Sequence, residues 1–187
     1  MSARVEEAFA AVPRRDFLPA WQRPFADVDQ ALGIGYGVTN SQPTTVRNML
    51  ELLDPQPGDR VLDVGSGSGW TTALLAHLVA PDGCVVGVER IPELVAKSLA
   101  NLGDRSPSTE VHLAEPGVLG WPARAPYDRV LVSAASEAVP PALLEQLAVG
   151  GVLVAPVRGV MTKVALSPEG PVVEKHGRYL FVPLIED

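Results

Sequence analysis

The chain has 187 residues, 47% hydrophobic and 20% charged, which is enough for a packed core and too apolar for an intrinsically disordered segment. Its 15 basic and 22 acidic residues leave a formal charge of −7, so a nucleic-acid surface would stand against the overall field and none is expected. No apolar run approaches the ~18 residues of a membrane span, and the start Met1-Ser-Ala-Arg-Val-Glu-Glu7 lacks the basic and apolar stretches of a secretory signal. Cys84 is the only cysteine; beside Gly83 and ahead of an apolar strand, it reads as a packed thiol in a reducing compartment, the cytoplasm. His77, His112 and His176 share no ligand spacing, so no metal site is expected.

Glu6-Glu-Ala-Phe-Ala-Ala-Val12 reads as a helix that stops at Pro13. Residues 13–43 mix prolines with the cluster Gly33-Ile-Gly-Tyr-Gly37 and predict an irregular cap. Helical spacing returns over 44–53, with Val46, Met49, Leu50 and Leu53 on one side, and Pro55-Gln-Pro-Gly58 ends it. Strands and helices then alternate: strand 60–64 with helix 69–79, strand 85–89 with helix 93–102, and strand 111–114 before a Gly/Pro connection. Strand 128–133, helix 140–147 and strand 151–157 follow. This alternation predicts an α/β fold with a doubly wound, mostly parallel sheet of seven strands. The tail, with apolar runs at 163–166 and 178–185 about a Pro168-Glu-Gly170 turn, predicts an antiparallel hairpin at its end. The expectation is one domain over 1–187, in which 1–58 form a substrate cap and 59–187 a cofactor-binding sheet.

The segment Val61-Leu-Asp-Val-Gly65-Ser-Gly67-Ser-Gly69-Trp70 carries the strongest chemical signal. A strand that turns through glycines into a helix N-terminus lets backbone N–H groups approach a ligand closely, as nucleotide sites require. The third glycine of a dinucleotide fingerprint would fall at position 70, which is Trp, and this argues against NAD. Val85-Val-Gly-Val-Glu89 ends the next strand in an acid, which can accept both hydroxyls of a ribose. With no phosphate-binding lysine motif, these features describe S-adenosylmethionine better than ATP or NAD. Ligands of open sheets bind outside the carboxyl ends of the strands. Gly65, Ser66, Gly67, Gly69, Glu89, Arg90, Glu115, Gly117 and Ser133 fall at such ends, and Asp63 lies on the first strand. Glu89 could also be a surface acid, and Trp70 either packs in the core or lines the pocket. Ser41, in Ser41-Gln-Pro43 ahead of a helical run, suits a helix N-cap, and the residues alone favour that reading.

Several segments together resemble the protein-L-isoaspartate O-methyltransferases, which methylate the abnormal carboxylate of isoaspartyl residues in damaged proteins. Val12-Pro-Arg-Arg-Asp-Phe-Leu-Pro19 is similar to the family's early segment, and the run from Gly33 to Pro43 to its glycine-rich stretch ending in I-S-Q-P. Val86-Gly-Val-Glu89-Arg90-Ile-Pro92-Glu93-Leu94 follows the second-strand segment, and Leu119-Gly-Trp-Pro122, Ala125-Pro-Tyr127-Asp128-Arg129-Val and Phe181-Val-Pro183-Leu184 also match. The resemblance implies a Rossmann-like methyltransferase fold, S-adenosyl-L-methionine as the cofactor, and isoaspartyl proteins or peptides as partners. It places Ser41, assisted by Thr39, at the acceptor carboxylate, and the backbone of Val182-Pro-Leu184 against the substrate's main chain. A monomer is expected. The chain departs from the pattern at Val38, where the family is polar, and at Asn40, where it is apolar. At Glu115-Pro116-Gly117 the family has Gly-Asp-Gly, which displaces the expected adenine-side acid by one residue. If Asn40 weakens a repair enzyme, an apolar residue restored there should raise activity. The departures keep two other readings open: a related carboxyl methyltransferase acting on another peptide or small-molecule carboxylate, and a non-catalytic binder that retains the fold.

Overall fold

The computed structural model describes residues 2–103 and 108–185. Helix α1 (Ala3–Ala11) is followed by two short 3-10 turns, a hairpin of β1 (Leu32–Gly35) and β2 (Val38–Asn40), and helix α2 (Pro43–Leu53). The chain then alternates through β3 (Arg60–Val64), α3 (Trp70–Val79), β4 (Cys84–Glu89), α4 (Pro92–Leu102) and β5 (Thr109–Leu113). Strand β6 (Tyr127–Val132), a single helical turn α5 (Pro141–Leu144), β7 (Leu147–Val157), β8 (Val160–Ser167) and β9 (Gly170–Arg178) complete it.

Seven strands form one sheet in the order β5-β4-β3-β6-β7-β8-β9. The pairs from β5 to β7 are parallel, and β8 and β9 are antiparallel, so the α/β sheet closed by a C-terminal hairpin is present as expected. Parallel strands are covered on both faces, which is why these runs are nearly continuously apolar. On one face Val61, Val85, Leu131 and Val154 pack with Met49, Leu50, Leu74 and Leu75 of α2 and α3, and α1 adds Val5 and Ala8. On the other, Leu62, Val64, Val86, Val88, Val130 and Val132 pack with Leu143 and Leu147. The direction of the strand order reverses between β3 and β6, and a crevice opens at their carboxyl ends. No helix among the described residues is long and apolar enough to cross a membrane.

Three expectations are corrected. The glycine cluster is a paired hairpin inside the cap rather than irregular chain, because β-forming Ile34 and Val38 flank the turn. Gly35 (φ 97°), Tyr36 (φ 56°) and Gly37 (φ 75°) make that turn with three consecutive left-handed residues. The helix expected over 140–147 is only Pro141–Leu144, since β7 starts at Leu147 and runs through Gly150-Gly151. A bulge in the β6–β7 pairing between Tyr127 and Arg129 absorbs these extra residues. The second hairpin strand is Gly170–Arg178 rather than 178–185, because the tight turn pairs Ser167 with Gly170 and the register runs to Val160 and Arg178. Residues 179–185 leave the sheet and return past its carboxyl edge. There Ala135 N–H donates to the Val182 carbonyl (2.8 Å) and Leu184 N–H to that of Ala135 (2.7 Å).

Helix α2 takes its N-terminal cap from elsewhere in the chain. Thr44 donates its N–H to Asp29 Oδ1 and its hydroxyl to Oδ2, both at 2.8 Å. The Thr44 N–H and hydroxyl hold the Asp29 carboxyl below its usual range, opposed by burial and helped by Gln42 Nε2 and the Arg47 charge. A depressed folded-state value stabilises the protein above the unfolded pKa of about 4, and this is lost as pH falls through the folded value. Asp29→Asn should therefore lower the melting temperature at pH 7, and the gap to wild type should close below about pH 4. A gap independent of pH would show that the charge plays no part in the cap.

Candidate active site

The chain leaves β3 at Val64 and reaches α3 through Gly65–Gly69. Gly69 is the N-cap of α3, and its φ of 89° and the Ser98 hydroxyl, 2.5 Å from where a Cβ would stand, both require glycine. Gly67 N–H donates to Glu89 Oε2 (2.9 Å) and Ile91 N–H to Oε1 (3.0 Å). Glu89, 6% exposed at the end of β4, is thus held by the glycine loop on one oxygen and by the start of α4 on the other. Each oxygen retains capacity for a further donor.

A cavity of about 460 Å³ opens beside this carboxylate. Its wall brings together Thr39, Ser41, Gly65, Ser66, Gly67, Trp70, Glu89, Arg90, Glu115, Gly117 and Ser133. Two residues singled out from the sequence are not on the wall, Gly69 and Asp63. Asp63 is fully buried behind the loop, where Thr72 and Thr71 hydroxyls donate to Oδ2 at 2.7 and 3.0 Å. Its place is a tie between β3 and the first turn of α3. Glu115 stands exposed on the wall, and the following Pro116 has no N–H to offer a ligand. Trp70 does both things left open for it. Its ring packs edge-on against Phe9 (5.4 Å) while lining the cavity, and Nε1 donates to the Val12 carbonyl (3.1 Å).

The helix-cap reading of Ser41 does not hold, since Gln42 is the N-cap of α2 and Asp29 supplies the capping oxygens. Ser41 is half-buried on the cavity wall, with its carbonyl held from behind by Arg14. Arg14 was not singled out from the sequence, because nothing local separates a buried arginine from a surface one. It is 6% exposed, and its guanidinium donates to the carbonyls of Ala26, Val28, Gln30, Asn40 and Ser41 and to Asn40 Oδ1. Burial pulls its pKa down to about 10, with the Asp29 charge acting in the opposite direction.

Asn40, a departure whose effect on activity the sequence leaves open, is 5% exposed and uses both ends of its amide. Oδ1 accepts from Arg14 Nε (2.7 Å) and Nδ2 donates to Ser68 Oγ (3.2 Å). An apolar residue here would strip Arg14 Nε of its acceptor, so Asn40 is part of the design of this cap. Val38 packs with the cluster of Leu18, Ile34 and Leu94.

A sequence profile of the protein-L-isoaspartate(D-aspartate) O-methyltransferases matches residues 1–187. The chain belongs to this family. A protein-L-isoaspartate O-methyltransferase of Aeropyrum pernix is 48% identical over 192 residues, covering 98% of this chain and 73% of that protein. Those of Methanopyrus kandleri and Ignicoccus hospitalis are 46% and 43% identical over 98% of this chain, covering 84% and 89% of their own lengths. Among solved structures, a putative family member from Plasmodium falciparum in complex with S-adenosyl-L-homocysteine superposes with a TM-score of 0.88. It covers 100% of this chain and 92% of that one at 24% identity, a likeness of fold. In this family member the glycine loop and the Ser41 segment thus face a common cavity at the reversal point of the sheet.

Burial pushes the Asp63 carboxyl up to about 6, opposed by the Thr72 and Thr71 hydroxyls and reinforced by the Glu89 charge. Between about pH 4 and about 6 the folded protein therefore keeps a proton that the unfolded chain has released, so stability falls as pH rises through that window. Asp63→Asn keeps an acceptor for both threonines and should abolish this slope, melting no lower than wild type at pH 8. A variant that retained the wild-type slope in urea titrations across the window would assign it to another group.

Proposed function

We propose that this chain carries out the reaction its family is named for, transferring a methyl group from S-adenosylmethionine to the free carboxylate of L-isoaspartyl residues in damaged proteins. The observation that carries the reading is the Glu89 carboxylate, fixed by Gly67 and Ile91 N–H groups on the wall of a cavity shared with Ser41. The residues suit the donor. The cavity falls in the ~300–1,000 Å³ range of small-molecule sites. Ser66 presents a buried hydroxyl with no partner among the described residues, and the positive end of α3 lies at the loop.

When bound, the donor supplies a methyl group activated by its sulfonium. Glu89 would accept from the ribose hydroxyls, and Gly65, Ser66 and Gly67 would offer backbone N–H groups, with Trp70, Arg90 and Ser133 alongside. Glu115 and Gly117 would stand at the adenine side. Asp63 would act from behind, keeping the first turn of α3 against β3. The acceptor, a carboxylate with an ordinary pKa of about 4, is ionised at neutral pH, so the chain needs no general base. Its task is alignment, which is worth up to ~7–11 kcal/mol where geometry is good. The Ser41 hydroxyl, with Thr39 beside it, would donate to one acceptor oxygen without pairing strongly enough to quench the nucleophile, as an arginine would. Val64, Val88, Ala134 and Leu184 give the cavity an apolar lining, and a site dried by the bound ligands would favour a step in which opposite charges cancel. The extended backbone of 182–184 would lie along the substrate's main chain.

In this reading residues 1–58 serve as the substrate cap of a single domain, although α1 and α2 also complete the helical layer. The protein is read as a cytoplasmic monomer acting on proteins, without nucleic-acid or membrane partners; the formal charge of −7 and the single cysteine support this.

The test is methyl transfer to an isoaspartyl peptide beside its normal aspartyl twin, with only the former methylated. Equal or absent transfer to both would hand the acceptor to another carboxylate. Glu89→Ala should weaken S-adenosylhomocysteine binding by ~1.5–3 kcal/mol in calorimetry, the range for hydrogen bonds to a charged group. Ser41→Ala should lower single-turnover transfer ~10- to 100-fold while cofactor affinity and melting temperature change little, because the hydroxyl caps no helix.

A further inference from the structure

Asn40 ends β2 immediately before Ser41, and its amide bridges two bodies. Behind it, Oδ1 accepts from Arg14 Nε, and the same guanidinium's Nη2 holds the carbonyls of Asn40 (3.0 Å) and Ser41 (2.9 Å). Ahead of it, Nδ2 donates to Ser68 Oγ, at the tip of the glycine loop. Ser68 is 2% exposed and is itself pinned, its carbonyl accepting from Asn101 Nδ2 of α4 at 2.9 Å. The peptide that carries Ser41 is therefore held against the donor loop through one side chain, and that side chain stands where the family pattern is apolar.

We propose that Asn40 is a positioning residue that sets the Ser41 segment against the glycine loop, so that filling the donor half of the cavity orders the acceptor half. This rests on the methyl-transfer reading given above. A hydrocarbon side chain at position 40 could fill the space but could neither accept from Arg14 nor donate to Ser68. Asn40 touches neither reacting atom in this account. Its effect passes through the backbone of Ser41 on one side and Ser68 on the other.

A double-mutant cycle of Asn40→Leu and Ser68→Ala tests this, read in S-adenosylhomocysteine affinity, single-turnover transfer to an isoaspartyl peptide, peptide KM and melting temperature. Each single change should weaken S-adenosylhomocysteine binding ~3- to 10-fold and slow the single turnover by a similar factor, with KM moving less than ~2-fold. The double variant should be little worse than the poorer single one, since both remove the same link. Asn40→Asp keeps an acceptor for Arg14 Nε, and the Ser68 hydroxyl can turn to donate to it. It should therefore recover affinity and melting temperature, and lose both again when combined with Ser68→Ala. This pair carries the test should Asn40→Leu fail to fold. The proposal is overturned if the two changes simply add, which would mean that Ser68 meets the donor on its own. It is overturned equally if Asn40→Leu lowers only the melting temperature, leaving affinity and rate per folded molecule intact. A wild type that binds S-adenosylhomocysteine yet leaves the isoaspartyl peptide unmethylated would defeat the functional reading alone, and the affinity cycle would still decide the role of Asn40.

Discussion

A guanidinium in the interior is stable only when each of its five N–H groups finds an acceptor, and Arg14 finds six. Five are carbonyls of residues 26–41, a stretch with only a short hairpin of regular structure and therefore few ladder partners for its own backbone. Arg14 supplies the donors that a helix or sheet supplies elsewhere. The cation lies over the Trp70 ring at 5.5 Å, and Trp70 in turn holds the Val12 carbonyl. The cap is thereby fastened to the first turn of α3, the helix whose N-terminus carries the glycine loop. Both walls of the cavity depend on one buried charge, whose desolvation is offset in part by Asp29, the same carboxylate that caps α2.

The parallel core was legible in the sequence because its signals are local. β3, α3, β4 and α4 lie within a residue of the expected bounds, since the period changes from continuous apolar to helical at Gly65–Gly69 and again at Arg90–Pro92. The loop and the strand-end acid were legible for the same reason, as the positive φ at Gly65, Gly67 and Gly69 that brings Gly67 N–H to Glu89 favours glycine. What escaped was everything whose order comes from long-range partners. Arg14 and Asn40 are 26 residues apart and meet only in the fold. Asp63 looked like a ligand-facing acid because the strand's sequence does not say that Thr71 and Thr72 of α3 will lie over it. Residues 178–185 carry a strand's composition, yet β8 is already paired to β9 as far as Arg178, and the segment beyond it bonds only at Tyr179 to Gly159 and around Ala135 among the described backbone pairs.

Asp63 and Glu89 show how neighbouring strands divide two similar carboxylates. Both end up nearly or wholly buried, and each sits next to the other's charge. Glu89 receives a backbone N–H on each oxygen and keeps acceptor capacity facing the cavity. Asp63 receives two threonine hydroxyls and no cation, and burial outweighs them. The difference lies along the strands: register pairs Asp63 with Gly87, so Glu89 stands two residues further on, beyond the carboxyl end of β3. Gly65 turns the chain so that Gly67 N–H points toward the end of β4, while Thr71 and Thr72 on the first turn of α3 lie over β3.

The acceptor side poses the converse electrostatic problem. On the reading proposed here an anionic substrate must enter a cavity whose wall carries Glu89 and Glu115, in a chain of formal charge −7. The wall's arginine, Arg90, follows Glu89 in the chain; a cation beside Ser41 would attract the acceptor but would pair with the nucleophilic oxygen and lower its reactivity. Arg14 resolves this by position. Its charge lies directly behind Ser41, one carbonyl away, while all of its N–H groups are committed to the cap. With no donor left to bind the acceptor, the guanidinium contributes field without a hydrogen bond, and the neutral Ser41 hydroxyl makes the contact. The group that orders the cap is for the same reason the group that can hold a carboxylate near the methyl donor without silencing it.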